Sequence, residues 1–142
     1  LPAIGEELLF RGVLQRFIQE WTKKPHFAIW LTAIIFSAFH FQFYGFLPRM
    51  LIGAFLGYLF FWSGNLWYPI IGHFINNGMQ VLAVYVYQQS MSIEEIAKTE
   101  QSMGILPALG SAVVLGLSMY VFYKIFNQTT TEEAKLAVKD PV

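Results

Sequence analysis

Two adjacent carboxylates and a guanidinium stand inside an apolar run at Glu6-Glu7-Leu8-Leu9-Phe10-Arg11. On a helix, Glu7 and Arg11 lie four positions apart and share a face, while Glu6 is turned by about 100° toward another side. The two carboxylates can therefore divide their work. Arg11 can hold Glu7 as an ion pair, leaving Glu6 to point into a cavity and do chemistry. Further along, His40 and His73 lie inside apolar segments, and His73 and Asn77 are again four apart. One helical face then presents an imidazole beside a carboxamide, a pair able to donate two hydrogen bonds to one oxygen, as an oxyanion hole requires. A glutamate and a histidine that meet around a water can act as its general base. The same atoms can bind a metal: Glu6, His40 and His73 supply one oxygen and two nitrogens, the ligand set of many catalytic zinc sites. The helical His-Glu-x-x-His spacing is absent, so a Zn2+ site rests on residue types alone, and both mechanisms stay open. Taken singly, each residue has an ordinary explanation, a solvated ion pair or a hydrogen-bonded core histidine. Taken together, three separate apolar segments each carry polar groups, and the cost of burying them favours their meeting in one cavity. His26, beside Lys23, Lys24 and Pro25, reads as a surface residue.

Such groups need apolar surroundings, and the composition provides them. Of 142 residues, 56% are hydrophobic, 18% aromatic and only 13% charged, and mean hydropathy is +0.49. Soluble domains carry about 25% charged residues, so the chain reads as an integral membrane domain. Nine basic and nine acidic residues cancel, which leaves no electrostatic footprint for nucleic acid. The absence of cysteine excludes disulfides, thiolate metal sites and a cysteine nucleophile. No basic segment precedes an apolar one at the start, so no signal peptide is read, and the chain is expected to be an excerpt whose upstream helices are missing.

The elements that must position the site follow in order. A first helix is expected from Pro2 to about Trp21, with cations gathered toward its end and Pro25 closing it. A spanning helix should run from His26 or Phe27 to about Tyr44. The next covers Met50 to Trp62, or starts near Phe46, and its Gly53 and Gly57 have the small-xxx-small spacing of closely packed helices. Ser63-Gly64-Asn65 makes a turn, and Pro69 starts a helix reaching about Gln88. A polar surface helix over 89–103, a last apolar segment over 105–126 and a mobile tail over 127–142 complete the chain. The fold expected is all-α, a polytopic transmembrane bundle of four to five helices with a polar intramembrane cavity, its domain being residues 1–126. Lysines and arginines place the ends near Lys23, Lys24 and Lys124, and the C-terminal tail, on the cytoplasmic side of a bacterial plasma membrane. At about 1.5 Å per residue, Glu6 and His40 lie roughly 20 to 24 Å from that side and His73 about 10 Å. A common site requires tilt or a recessed turn around Ser63 to Pro69.

Glu6-Glu7-x-x-x-Arg11, Phe36-x-x-x-His40 and His73-x-x-x-Asn77, in this order on successive apolar helices, resemble the CAAX protease and bacteriocin-processing (Abi) family of intramembrane proteases, which includes the type II CAAX prenyl endopeptidases. The Ser63-Gly64-Asn65-Leu66-Trp67 approach to His73 is also similar. The resemblance implies that Glu6 and His40 activate water, that His73 and Asn77 stabilise the oxyanion, and that Glu7 and Arg11 support the site. Family members are often described as metalloproteases, and metal-free glutamate catalysis is the competing account. It implies membrane lipid as surroundings, and a peptide or protein substrate arriving from the membrane or the cytoplasmic side. Two other readings use the same residues. One is a membrane immunity or scaffold protein that keeps the site without using it; the other is a transporter with Glu6, His40 and His73 as a proton or cation path, against which Arg11 and the lack of an inverted repeat count.

Overall fold

The computed structural model describes residues 2–43, 45–90 and 116–128. All regular structure among them is helical. A continuous rod opens the chain: α1 (Pro2–Glu7), a π-helical stretch (Leu8–Gln15) and α2 (Arg16–Thr22). Lys23 ends it in the left-handed region at φ 57°, with its N–H on the Gln19 carbonyl. Pro25 does not close this segment but opens α3 (Pro25–Ala38) at its first turn, where a missing N–H and fixed φ do no harm. α4 (Phe46–Ser63) ends at Gly64, φ 63°, and α5 (Trp67–Ser90) follows after a turn in which the Asn65 side chain accepts the Trp67 N–H. Residues 116–128 form α6. Most of the polar stretch at 89–103, the first part of the last apolar segment and the tail from 129 lie outside the described residues.

The rod, α3, α4 and α5 run alternately away from and back toward the Glu6 end. α6 runs beside α4, with Phe122 against Phe55, Tyr123 against Trp62 and Phe126 against Tyr68. Lys124 thus lies at the end of the bundle that also carries Lys23 and Lys24, while Arg49 stands at the opposite end. Among the described residues one helix, Phe46–Ser63, is long and apolar enough to cross a membrane; Pro25–Ala38 is apolar but shorter. Fewer segments meet that test than the sequence reading expects. α3 stops after 14 residues because Phe41 turns left-handed at φ 52°, and α5 has the length but carries His73, Asn76, Asn77 and Gln80. Large apolar side chains nonetheless cover the outer faces, among them Phe17, Trp21, Phe27, Trp30, Phe74 and Val81, all exposed. Soluble monomers rarely show so much contiguous apolar surface.

Gly53 and Gly57 are where α4 meets both the rod and α3. A Cβ on Gly57 would lie 2.9 Å from Gln15 Oε1 and 3.0 Å from Ile29 Cγ2, and one on Gly53 would lie 3.2 Å from the Phe36 ring. Ile29 is fixed in the core with Ala33 and Ala54, so it has no room to yield. Gly57→Ala should therefore destabilise the protein by about 1–3 kcal/mol in thermal unfolding, as overpacking does. Gly5, with nothing near its Cβ position, is the control: Gly5→Ala should stabilise by about 0.5–1 kcal/mol through helix propensity.

Candidate active site

The rod buries a ladder of polar side chains four residues apart, Glu7, Arg11 and Gln15, all at most 1% exposed. Its backbone is π-helical over this stretch, a rare conformation that recurs at functional sites. Arg11 Nη1 donates to Glu7 Oε1 at 2.7 Å and Nη2 to the Gly53 carbonyl at 2.8 Å. Gln15 Nε2 donates to the Gly57 carbonyl at 3.1 Å. The missing side chains at Gly53 and Gly57 open those carbonyls to the rod, so the small-residue spacing on α4 serves a polar interface as well as close packing. The guanidinium also lies over the Phe36 ring, 4.9 Å from its centroid. Buried in this way, each charge has its partner, the condition under which burial is tolerated.

Glu7 Oε1 has a second partner. His73 Nδ1 lies 2.7 Å from it, and because an ionised carboxylate only accepts, Nδ1 is the nitrogen that carries hydrogen. His73 Nε2 consequently faces the other way, 3.7 Å from Glu6 Oε2. That gap is too long for a direct hydrogen bond. What brings His73 level with the carboxylates is a recessed turn: Leu66 Cδ1 reaches within 3.5 Å of the Cβ position of Gly12, well inside the rod. Seven residues of α5 then advance about 10 Å, to the height of Glu7.

Glu6 lines a cavity of about 380 Å³ together with His40, Arg49, His73, Asn77 and Gln80. Its Oε2 has no partner among the described residues. Asn77 Oδ1 accepts from Asn76 at 3.4 Å, which leaves its Nδ2 as the donor toward the cavity. Asn77 also borders a second, apolar groove of about 500 Å³ between α1 and α5, walled by Ala3, Ile4, Ile70 and Phe74. His40 is not inside a helix. It stands in the turn beyond α3, exposed, with its N–H on the Ser37 carbonyl and its Nδ1 donating to the Phe36 carbonyl at 2.9 Å. The turn is closed by Ser37 Oγ, which donates to the Phe46 carbonyl at the start of α4, 2.6 Å away.

All six residues singled out from the sequence gather at this end of the bundle, but their partners are rearranged. His73 bonds to Glu7 rather than pairing only with Asn77, and Glu6 is the carboxylate left toward the cavity. For a metal, the donor chemistry is suitable, since both histidines have Nδ1 engaged and present Nε2. The geometry is not: among the described residues no three His, Asp or Glu side chains gather closely enough to hold a metal ion. Glu6, His40 and His73 as arranged do not form a coordination centre. Three contributors have roles that the sequence reading does not assign. Gln15 continues the four-residue spacing of Glu7 and Arg11, a signal that was present. Phe36 stacks edge-on against Phe10, His40 and His73, at centroid distances of 5.1, 4.9 and 5.7 Å, and holds both imidazoles apart. Arg49 reads as a loop charge, and only the fold turns it inward.

Residues 1–79 match the sequence model of a family described as type II CAAX prenyl endopeptidase Rce1-like. The chain is also similar to a Bacillus subtilis (strain 168) protein described as uncharacterized protein YpbD. Identity is 38% over 79 residues, which are 53% of this chain and 37% of that protein. It thus spans little more than a third of that relative's length. No solved structure matches. The matched segment runs from the start of the rod to two residues beyond Asn77, and so contains the whole cluster from Glu6 to Asn77; the chain belongs to the type II CAAX prenyl endopeptidase Rce1-like family.

Proposed function

We propose that this chain carries the catalytic centre of an intramembrane endopeptidase that hydrolyses a peptide bond of a membrane-associated or lipidated protein or peptide. One observation carries the reading: Glu6 Oε2 and His73 Nε2 stand 3.7 Å apart at the wall of a cavity that Asn77 also lines. A water held there loses a proton to the Glu6 carboxylate as its oxygen attacks the carbonyl carbon. His40, with Nδ1 engaged by the Phe36 carbonyl, offers Nε2 as a second acceptor to the same water. The oxygen that gains charge is met by Asn77 Nδ2 and, when the imidazole is protonated, by His73 Nε2–H. Glu6 then passes its proton to the leaving amine as the C–N bond breaks. Glu7 accepts Nδ1–H and fixes the ring, and Arg11 fixes Glu7. These are positioning roles.

The apolar groove that shares Asn77 supports access from the membrane side. In this reading the protein is integral to a bacterial plasma membrane, with Lys23, Lys24 and the chain's C-terminal end on the cytoplasmic face. The test is cleavage of a peptide library by the full-length protein. Asn77→Ala should lower turnover by about 10² to 10³ without weakening substrate binding; an unaffected turnover would remove Asn77 from the oxyanion site. Cleavage that persists after stripping metal with a chelator supports Glu6 as the base. Cleavage lost with zinc and restored by it, together with zinc lost in His40→Ala, would replace that assignment with a metal-bound water. No cleavage by the wild type would favour a scaffold role for the same cluster.

A further inference from the structure

His40 lines the cavity from a turn, so its ring is held by what that turn supplies. α3 ends at Ala38 although the aromatic run continues through Phe39, Phe41 and Phe43. In a continuing α-helix the His40 N–H would take the Phe36 carbonyl, four residues back. Here that N–H goes to the Ser37 carbonyl at 3.3 Å, and the Phe36 carbonyl is left to the ring, whose Nδ1 donates to it at 2.9 Å. The end of the helix thus sets the tautomer: with hydrogen on Nδ1, Nε2 keeps its lone pair. Phe36 adds an edge-on contact, 4.9 Å between ring centroids. Ser37, in the last turn of α3, is 1% exposed. A helical serine commonly bonds back to the carbonyl four residues before it. Ser37 Oγ instead reaches nine residues forward, to the Phe46 carbonyl at 2.6 Å. That bond fastens the last turn of α3 to the first turn of α4 and shuts the loop that carries His40.

We infer that Ser37 is a positioning residue: by pinning α3 to α4 it holds the turn at Ala38 and keeps His40 in the tautomer whose Nε2 can accept a hydrogen bond from the attacking water. The inference rests on the peptidase reading and adds to it a residue that does not line the cavity. Two groups compete for the Phe36 carbonyl, the His40 N–H of a longer helix and the His40 ring of the observed turn. Helix propagation gains a backbone bond for each residue added, and the bond from Ser37 to the Phe46 carbonyl weights the balance toward the turn. Without it, the N–H can take the carbonyl, and the ring loses the partner that keeps hydrogen on Nδ1. An Nε2 that carries the hydrogen donates to the water and no longer accepts from it.

The experiment records nitrogen-15 NMR of the imidazoles in full-length protein labelled at histidine, in detergent with chelator, at a pH where imidazoles are neutral. His40→Gln identifies the His40 signals, and His26→Gln and His73→Gln identify those of the other two histidines of this chain. Wild type should show His40 with hydrogen on Nδ1 and a bare Nε2. In Ser37→Ala the His40 signals should move toward hydrogen on Nε2. His26, hydrogen-bonded to Tyr58, and His73, hydrogen-bonded to Glu7, should keep theirs, which separates a local release from a loosened fold. Peptide turnover by Ser37→Ala should fall about 10- to 100-fold with KM unchanged, part of what general-base catalysis supplies. Ser37→Cys, close in shape but a weaker donor, should fall between the two, and it carries the same comparison if Ser37→Ala does not fold. Four results overturn the inference: a wild type without hydrogen on Nδ1 of His40, a tautomer that Ser37→Ala leaves unchanged, movement of all three histidines together, or full turnover despite a displaced tautomer. Because the imidazole signals need no substrate, a tautomer change in a protein that cuts nothing would sink the peptidase reading and leave Ser37 as the residue that sets His40.

Discussion

Full-length protein carrying Glu6→Gln should melt within about 1 °C of the wild type and lose at least about 10³-fold in turnover, the scale of removing a general base. The neighbouring substitution Glu7→Gln should do the reverse in emphasis, lowering stability by about 3–5 kcal/mol and taking activity with it. The two side chains are adjacent and identical, yet their bonds differ. Glu6 Oε2 has no hydrogen-bond partner among the described residues and its side chain is 30% exposed, so an amide of the same shape gives up little in the folded state. Glu7 is 0% exposed and holds both Arg11 and His73 at 2.7 Å. Making it neutral strands a buried guanidinium and lets the imidazole turn. The pair of variants is read by thermal unfolding and peptide turnover on the same preparations. A stable Glu7→Gln that still cuts, or an active Glu6→Gln, would exchange or dissolve the assigned roles.

Arg11→Met should cost about 3–5 kcal/mol, because it leaves the Glu7 carboxylate uncompensated in the interior and removes the bond to the Gly53 carbonyl. Methionine keeps the length and apolar contact of the stem, so the loss reports the charge and its hydrogen bonds more than the volume. Adding Glu7→Gln should return part of that stability, since no unpaired charge then remains, and the shortfall from additivity measures the coupling within the pair. Turnover should stay low in the double variant, because a carboxamide does not fix His73 as the carboxylate does. Unfolding in denaturant at fixed detergent checks both statements. A single-variant loss below about 1 kcal/mol would mean that the site is wet enough to screen Glu7, and the buried ion pair would no longer be what orders this end of the bundle.

How far the sequence reaches can be judged residue by residue. The four-residue spacing makes the Glu7–Arg11 pair readable, because neighbours on a helix are fixed by local geometry. The turns at Lys23–Lys24 and Ser63–Asn65 are readable for the same reason, as is the helix-contact role of Gly53 and Gly57. The expectation that His40 sits inside a spanning helix fails because α3 ends at Ala38, with Phe41 left-handed at φ 52° and Ser37 donating to the Phe46 carbonyl across the turn, a long-range bond that no local preference announces. The π-helical stretch has no mark in composition. The partner of His73 was also out of reach, since Nδ1 finds Glu7 only after the recessed turn at Leu66 lowers α5 beside the rod. Local chemistry fixes which residues can react, and tertiary depth decides which of them touch.

The bonds of the cluster differ in how far apart their ends lie along the chain: 4 residues for Glu7 to Arg11, 42 for Arg11 to Gly53, and 66 for Glu7 to His73. Ribosomes add about 5–20 residues per second, so His73 is made on the order of several seconds after Glu7. During that interval Glu7 already has its counterion, Arg11, one helical turn away. The imidazole arrives last and completes the constellation only when α5 docks. A chain interrupted before that moment has the Glu7–Arg11 pair but lacks the imidazole that completes the cluster.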